Sequence, residues 1–157
     1  GIHSILVFSD VIIFGTVDEH YHVGILLYGT ALLYGFTGTM TFAGLAAAFA
    51  RGETRIEGLD ELRHKESDRL ALMAAGLCAC GVNAHAEDDA LVIQGGAVPG
   101  GAEVATQGDH RIAMAHLVLG LGAQQPVTVD EAEMIATSFP NFVSAMRALG
   151  ADLKETA

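Results

Sequence analysis

LMAAGLCACGVN, residues 72–83, and VSAMRALGADL, residues 143–153, are two versions of one design. Each is an apolar helical stretch that ends at a glycine before a strand. Apolar side chains three and four residues apart line one face of a helix, and a glycine just past its last turn adopts the left-handed conformation that closes it. The two glycines, Gly81 and Gly150, are 69 residues apart. In both neighbourhoods the order reads helix, strand, helix, strand. Such alternation predicts an α/β layer architecture, and its reuse predicts pseudo-symmetric packing of two units, about 45–98 and 99–157.

Working outward, Ala46–Ala50 is small and helix-favouring, and Arg51-Gly52 stops it. Thr54–Leu59 alternates as a strand. Ser67–Cys80 is a helix with Leu70, Met73, Ala74 and Leu77 on one side. Val82–Ala86 and Leu91–Ile93 are short strands around the turn Glu87-Asp88-Asp89, followed by a Gly-rich loop over Gln94–Gly101. In the second unit, Glu103–Ala105 is a strand. Asp109–Leu121 is a helix with Ile112, Ala115 and Leu119 on one side. Val127–Val129 is a strand, and Phe139–Leu149 is a helix with Phe142, Val143, Met146 and Leu149 as its stripe. Ala151–Leu153 is a last strand.

Residues 1–44 are of another kind and form a separate, unassigned apolar segment. No Asp, Glu, Lys or Arg occurs from His20 to Ala50. Val23–Ala50 is long enough to span a membrane. Five glycines interrupt it, however, and no basic residue flanks its N-terminal side. Ile5–Phe8, Val11–Phe14 and Ile25–Tyr28 read better as buried strands. The start, Gly1–Asp10, lacks the basic region of a secretory signal.

Composition narrows the function. The 157 residues are 51% apolar and 17% charged, which excludes general disorder, and the net charge is -11. Eight Lys plus Arg cannot easily make the basic stripe a nucleic-acid binder needs. Five of them, Arg51, Arg55, Arg63, Lys65 and Arg69, fall within nineteen residues. They form either a solvated basic helix face or a holder for a small anion. Cys78 and Cys80, the only cysteines, point apart on a helix and read as small core residues of a reducing compartment.

Chemistry concentrates at helix starts. Arg63-His64-Lys65-Glu66-Ser67-Asp68-Arg69 leads into an apolar helix. Lys65 and Arg69 are i, i+4 and share a face, while Glu66 and Arg69 are i, i+3. Free N–H groups and the positive dipole end favour phosphate or carboxylate there. Gly108-Asp109-His110-Arg111 repeats the design: Asp109 as N-cap, Arg111 to fork onto a carboxylate, and His110 to move a proton near neutral pH. The plainer reading of each is a capped helix with surface ion pairs. Together they suggest convergence on one ligand. Thr137-Ser138-Phe139-Pro140 is a third start, with Ser138 as N-cap and Pro140 near the first helical position. Asp18-Glu19-His20-Tyr21-His22 has no second ligand pair and reads as a polar turn rather than a metal site.

GLDELRHKESDRL (58–70), GDHRIAM (108–114) and IATSFPNF (135–142) resemble the 5-enolpyruvylshikimate-3-phosphate synthase family, in its order and at plausible separation. The resemblance runs from about Ala46 to Leu153, roughly the last quarter of a full-length member. It implies repeated βαβαββ-type units of the enolpyruvyl transferase fold, an inside-out α/β barrel with helices buried inside. It implies a cytoplasmic enzyme that moves a carboxyvinyl group from phosphoenolpyruvate to shikimate 3-phosphate, without metal or organic cofactor. Glu66 is thereby assigned as the acid that protonates the methylene carbon. Lys65 is assigned to shikimate 3-phosphate and the reacting centre. Arg69 and Arg111 would hold the phosphoenolpyruvate carboxylate, with His110 beside them and Asp109 and Thr137 lining the site. The SFP form resembles the glyphosate-tolerant class. Two departures stand out. The family's catalytic aspartate aligns near Gly38, where Thr37, Thr39 and Thr41 stand instead, and some members carry lysine where Thr137 is. The N-terminal domain of the family is not represented. Three expectations follow: an enolpyruvyl transferase, either a fragment that acts with a partner (a missing domain or a second copy) or a compact variant; a non-catalytic folded fragment that binds a small anion at most; or a membrane-anchored protein using Val23–Ala50.

Overall fold

The computed structural model describes residues 3–8, 11–16 and 39–155. The expected strand Ile25–Tyr28, the acidic and histidine-bearing turn at 18–22, and position 38 lie outside the described residues. The described residues form seven strands and four helices: β1 (His3–Phe8), β2 (Val11–Thr16), α1 (Thr39–Phe49), β3 (Arg51–Ile56), α2 (Arg69–Ala79), β4 (Asn83–Ala86), β5 (Leu91–Gly95), β6 (Glu103–Val104), α3 (His110–Gly120), β7 (Thr128–Val129) and α4 (Phe142–Ala148). The 3₁₀ turns Asp60–His64 and Ala132–Thr137 precede α2 and α4.

Five strands form an antiparallel sheet in the order β1-β2-β3-β5-β4, and β6 pairs with β7 in parallel. The helices α1, α2 and α3 pack on one another. On one side α1 and α2 meet β5 and β4, and on the other α2 and α3 meet β6 and β7. Helices covered on several sides must be apolar nearly all round. Accordingly α3 buries Ile112, Ala113, Met114, Ala115, His116, Val118 and Leu119, well beyond the one-sided stripe its spacing predicts. The core also takes Leu45, Leu70, Leu77, Ile56 and Ile93 at full burial.

The repeated glycines have the same job. Gly81 (φ 82) and Gly150 (φ 95) are left-handed. In each case the following N–H reaches back over the last turn, Val82 to the Leu77 carbonyl at 2.9 Å and Ala151 to the Met146 carbonyl at 3.0 Å. Both helices thus end in the bonding pattern that satisfies otherwise orphaned carbonyls.

Several boundaries differ from the sequence reading. The division near residue 44 falls inside α1, which begins at Thr39. β3 is Arg51–Ile56 rather than Thr54–Leu59, because the backbone turns at Gly58 (φ 78). Ser138 does not cap a helix. Its N–H continues the 3₁₀ turn onto the Ile135 carbonyl, so α4 starts only at Phe142, behind an Asn141 that makes no side-chain cap bond. Ala151–Leu153 is not a strand; Arg147 holds the Leu153 carbonyl through Nε at 2.9 Å and Nη2 at 2.7 Å. Leu149 is exposed rather than part of the stripe. Cys80 is buried, but Cys78 is exposed, its Sγ donating to the Ala84 carbonyl at 2.9 Å. Among the described residues no helix is long and apolar enough to cross a membrane.

The α2–α3 contact rests on one glycine. A Cβ on Gly76 would stand 2.3 Å from His116 Nε2 and 2.5 Å from its Cε1. His116 is fully buried, and its Nδ1 is 2.9 Å from the Ile112 carbonyl. Burial lowers the pKa of this imidazole more than the carbonyl bond raises it. The neutral ring therefore carries its proton on Nδ1, donating to that carbonyl. Gly76→Ala is expected to cost about 1–3 kcal/mol despite the better helix propensity of alanine, because a rigid ring in a closed core has nowhere to go. Combining it with His116→Ala should remove the clash, so the double variant should be more stable than the sum of the singles predicts. Urea unfolding of the four proteins measures this coupling; additive losses would contradict the contact.

Candidate active site

The two charged helix starts meet at Asp109. This residue is the N-cap of α3, its Oδ1 accepting from the Arg111 N–H at 2.9 Å and the Ile112 N–H at 3.4 Å. Its Oδ2 accepts from Ser67 Oγ at 2.7 Å and from Arg69 Nε at 2.7 Å. Asp109 is 2% exposed and Arg69 4%. The segments before α2 and α3 are thus fastened by a buried, hydrogen-bonded ion pair about forty positions apart in sequence, the kind of contact that is costly to break. Burial raises the pKa of the Asp109 carboxyl, but the bonds from Arg69, Ser67 and the Arg111 N–H outweigh it and hold the group below the ordinary carboxylate value.

Arg69 reaches the other way to Glu66, with Nη2 lying 2.5 Å from Glu66 Oε2. That contact is an ion pair at close range without hydrogen-bond alignment, since Nη2 makes no geometrically formed hydrogen bond. Glu66 is largely open to solvent, with a side-chain exposure of 59%. Arg111, in the first turn of α3, keeps Nε and Nη1 buried with no hydrogen-bond partner. Buried guanidinium donors are almost always paired, so these two are exceptions with capacity for an acceptor. Burial lowers the pKa of His110, the Asp109 carboxylate opposes this, and Arg111 and Arg69 lower it further; the net value lies below the ordinary one.

Lys65 is placed differently from the sequence expectation. It follows the first 3₁₀ turn in extended conformation and is not on a helical face with Arg69; its Nζ pairs back to Glu61 at 3.3 Å. The local basic cluster is likewise not one face. Arg55 on β3 pairs with Glu57 and Glu87, each at 2.7 Å. Arg63 donates through Nε to the Asp88 carbonyl at 2.9 Å and through Nη2 to the Glu87 carbonyl, tying the β4–β5 turn to the start of α2. Asp68 caps α2 by accepting from the Ala71 N–H at 2.9 Å.

Thr137 Oγ1 donates to the Met134 carbonyl at 2.7 Å. Residues three apart eclipse in a 3₁₀ turn, so Thr137 shares a side with Met134 and Glu131. Those two side chains border Gly108, whose Cβ would lie 3.9 Å and 3.7 Å from them. The turn bearing Thr137 therefore flanks the loop that presents Asp109. Ser67 is a partner the sequence reading did not single out, although it sits inside the charged motif. Among the described residues no group of three or more His, Cys, Asp or Glu is arranged to hold a metal ion.

Residues 37–146 match the sequence family described as EPSP synthase (3-phosphoshikimate 1-carboxyvinyltransferase). The chain belongs to the EPSP synthase family. The family match begins within the stretch read as unassigned. A 3-phosphoshikimate 1-carboxyvinyltransferase from Phenylobacterium zucineum is 60% identical over 111 residues, covering 69% of this chain and 25% of that protein. One from Parvibaculum lavamentivorans is 63% identical over 109 residues, covering 68% and 24%. Among solved structures, EPSP synthase from Acinetobacter baumannii superposes with a TM-score of 0.65 at 36% identity, over 70% of this chain and 27% of that one. The enolpyruvyl transferase NikO from Streptomyces tendae has a TM-score of 0.60 at 24% identity, over 77% and 27%, which is a likeness of fold. The fold is that of the enolpyruvyl transferases, with mixed strands and internal helices. The chain spans about a quarter of the length of the EPSP synthase relatives it matches.

Proposed function

We propose that this chain carries one wall of a carboxyvinyl transferase site, which receives the carboxylate of phosphoenolpyruvate and transfers its enolpyruvyl group to shikimate 3-phosphate. The observation that carries this reading is the pair of unpartnered, buried Arg111 donors on the residue whose backbone N–H caps onto the Asp109 of the Arg69–Asp109 ion pair. A fixed guanidinium fork orients a planar carboxylate and offsets the repulsion between two anionic substrates. Asp109 organises the wall rather than touching substrate, because both of its oxygens are already taken. Glu66 is open to solvent next to Arg69, where it would act as the proton donor to the methylene carbon, with His110 nearby and Lys65 turning from Glu61 onto the phosphorylated substrate. Thr137 would line the flank. The two units, 45–98 and 99–157, supply one charged helix start each. The SFP form at Ser138-Phe139-Pro140 supports tolerance of glyphosate, and the free thiols suit a cytoplasmic enzyme.

The test is phosphate release by the purified chain with phosphoenolpyruvate and shikimate 3-phosphate together, alongside calorimetric binding of phosphoenolpyruvate alone. Glu66→Gln should abolish release and spare binding. Arg111→Ala should weaken binding by about 1.5–3 kcal/mol, the worth of a charge-assisted hydrogen bond. Unchanged affinity in Arg111→Ala would refute the clamp. Binding without release would favour an anion-binding fragment.

A further inference from the structure

The loop presenting Asp109 has an unusual backbone. The Asp109 N–H bonds to the Thr106 carbonyl at 3.0 Å, closing a four-residue turn whose central residues are both left-handed, Gln107 at φ 51 and Gly108 at φ 71. Glycine takes that conformation freely, but for glutamine it costs about 1 kcal/mol or more, and it persists only where the surroundings enforce it. The enforcing contact lies on the other side of the turn. Asp130 directly follows β7, and its Oδ1 accepts from both the Thr106 N–H and Thr106 Oγ1, each at 2.7 Å. The Asp130 N–H in turn bonds to the Val104 carbonyl at 3.3 Å, continuing the β6–β7 pairing by one residue. Thr106 is fully buried. Among the described residues no other side-chain acceptor is bonded to Thr106.

From this we infer that Asp130 is a positioning residue. Its carboxylate pins Thr106, Thr106 anchors the left-handed turn, and the turn sets the Asp109 carboxylate where Ser67, Arg69 and the start of α3 converge on it. The chain of contacts ends at the backbone N–H of Arg111, whose guanidinium carries the free donors, so Asp130 governs an anion site it does not touch. Its role in substrate binding rests on the function proposed above; its hold on Asp109 does not.

The two are separated by measuring them independently on the full chain. The Arg69 Nε–H is buried and bonded to Asp109 Oδ2, so it should give a slowly exchanging side-chain signal in ¹H–¹⁵N NMR spectra. Phosphoenolpyruvate affinity is measured by calorimetry. Asp130→Ala, folded as judged by its backbone amide spectrum, should lose that signal and bind phosphoenolpyruvate about tenfold or more weakly. Asp130→Asn keeps a carbonyl oxygen for both Thr106 bonds and should restore both readouts to near wild type. A folded Asp130→Ala with the Arg69 signal intact would overturn the inference. Should Asp130→Ala not fold, Thr106→Val decides, since it removes only the hydroxyl bond: faster Arg69 Nε–H exchange supports the inference, and unchanged exchange overturns it. A wild-type chain that fails to bind phosphoenolpyruvate sinks the functional reading alone, and the Arg69 signal still reports on Asp130.

Discussion

Asp109→Ala is expected to destabilise the protein by about 3–5 kcal/mol at pH 7, the usual cost of stripping one partner from a buried ion pair. Among the described residues the truncation leaves Arg69, 4% exposed, with only the solvent-open Glu66 as a counter-charge. It also removes the N-cap of α3 and the acceptor of Ser67. Against a total stability of about 5–15 kcal/mol, such a loss removes a large fraction of the stability. Asp109→Asn should cost less, because asparagine still caps a helix. The same residue predicts a pH dependence. Its folded pKa is depressed, so the unfolded chain takes up the proton first as pH falls. The Asp109 contribution is therefore fully present above about pH 4, the ordinary aspartate value, and is lost as pH drops through the folded value. Urea unfolding between pH 7 and pH 3 should show a shallower acid loss in Asp109→Asn than in the wild type. Parallel curves would mean that Asp109 is not held as an ionised partner of Arg69.

Gly95→Ala should be comparably severe, by about 3 kcal/mol or more, through sterics alone. A Cβ at this position would stand 2.2 Å from the Ala47 carbonyl oxygen and 2.3 Å from that of Ala50. Both are main-chain atoms at the end of α1, so no side-chain rotation relieves the overlap, and either β5 or α1 has to move. The approach has a purpose. The last carbonyls of a helix lack partners within it, and the Gly96 N–H bonds to the Ala48 carbonyl at 2.9 Å. Gly52→Ala is the matched control. There the backbone is left-handed, at φ 90, but nothing lies within 4 Å of the new methyl. Its cost should be only about 1–3 kcal/mol of backbone strain. A Gly95→Ala variant as stable as Gly52→Ala would contradict the close approach of β5 to α1.

The contrast between these glycines separates local from tertiary information. Gly81 and Gly150 were legible in the sequence, because a helix-ending glycine answers to the turn immediately before it. Gly95 was not. It read as part of a loop over Gln94–Gly101, yet it ends a strand, and its requirement is imposed by a helix more than forty positions earlier. Gly76 is similar, since nothing in LMAAGLCACG announces the His116 ring.

The site divides along the same line. The charged helix starts, the cap at Asp109 and the Glu66–Arg69 pair were visible because capping and i, i+3 pairing are short-range. The predicted partnership of Lys65 and Arg69 failed because it assumed that the helix already existed at Lys65, where the chain is still extended. Ser138 failed for a related reason: the preceding 3₁₀ turn claims its N–H before α4 can start.

By itself the sequence determined the alternation of helices and strands, the glycine stops and the three motifs that mark the EPSP synthase family, all properties of neighbouring residues. Only the tertiary structure decided which cations are spent on local acids and which are left to act. Arg63 and Lys65 are neutralised by acids a few positions away, Arg55 by Glu57 and by Glu87 across the sheet, whereas Arg69 is fastened to Asp109 and Arg111 keeps buried donors free. The physical reason is that a charge is committed by its distance and burial in space, and neither quantity is written in the spacing of residues along the chain.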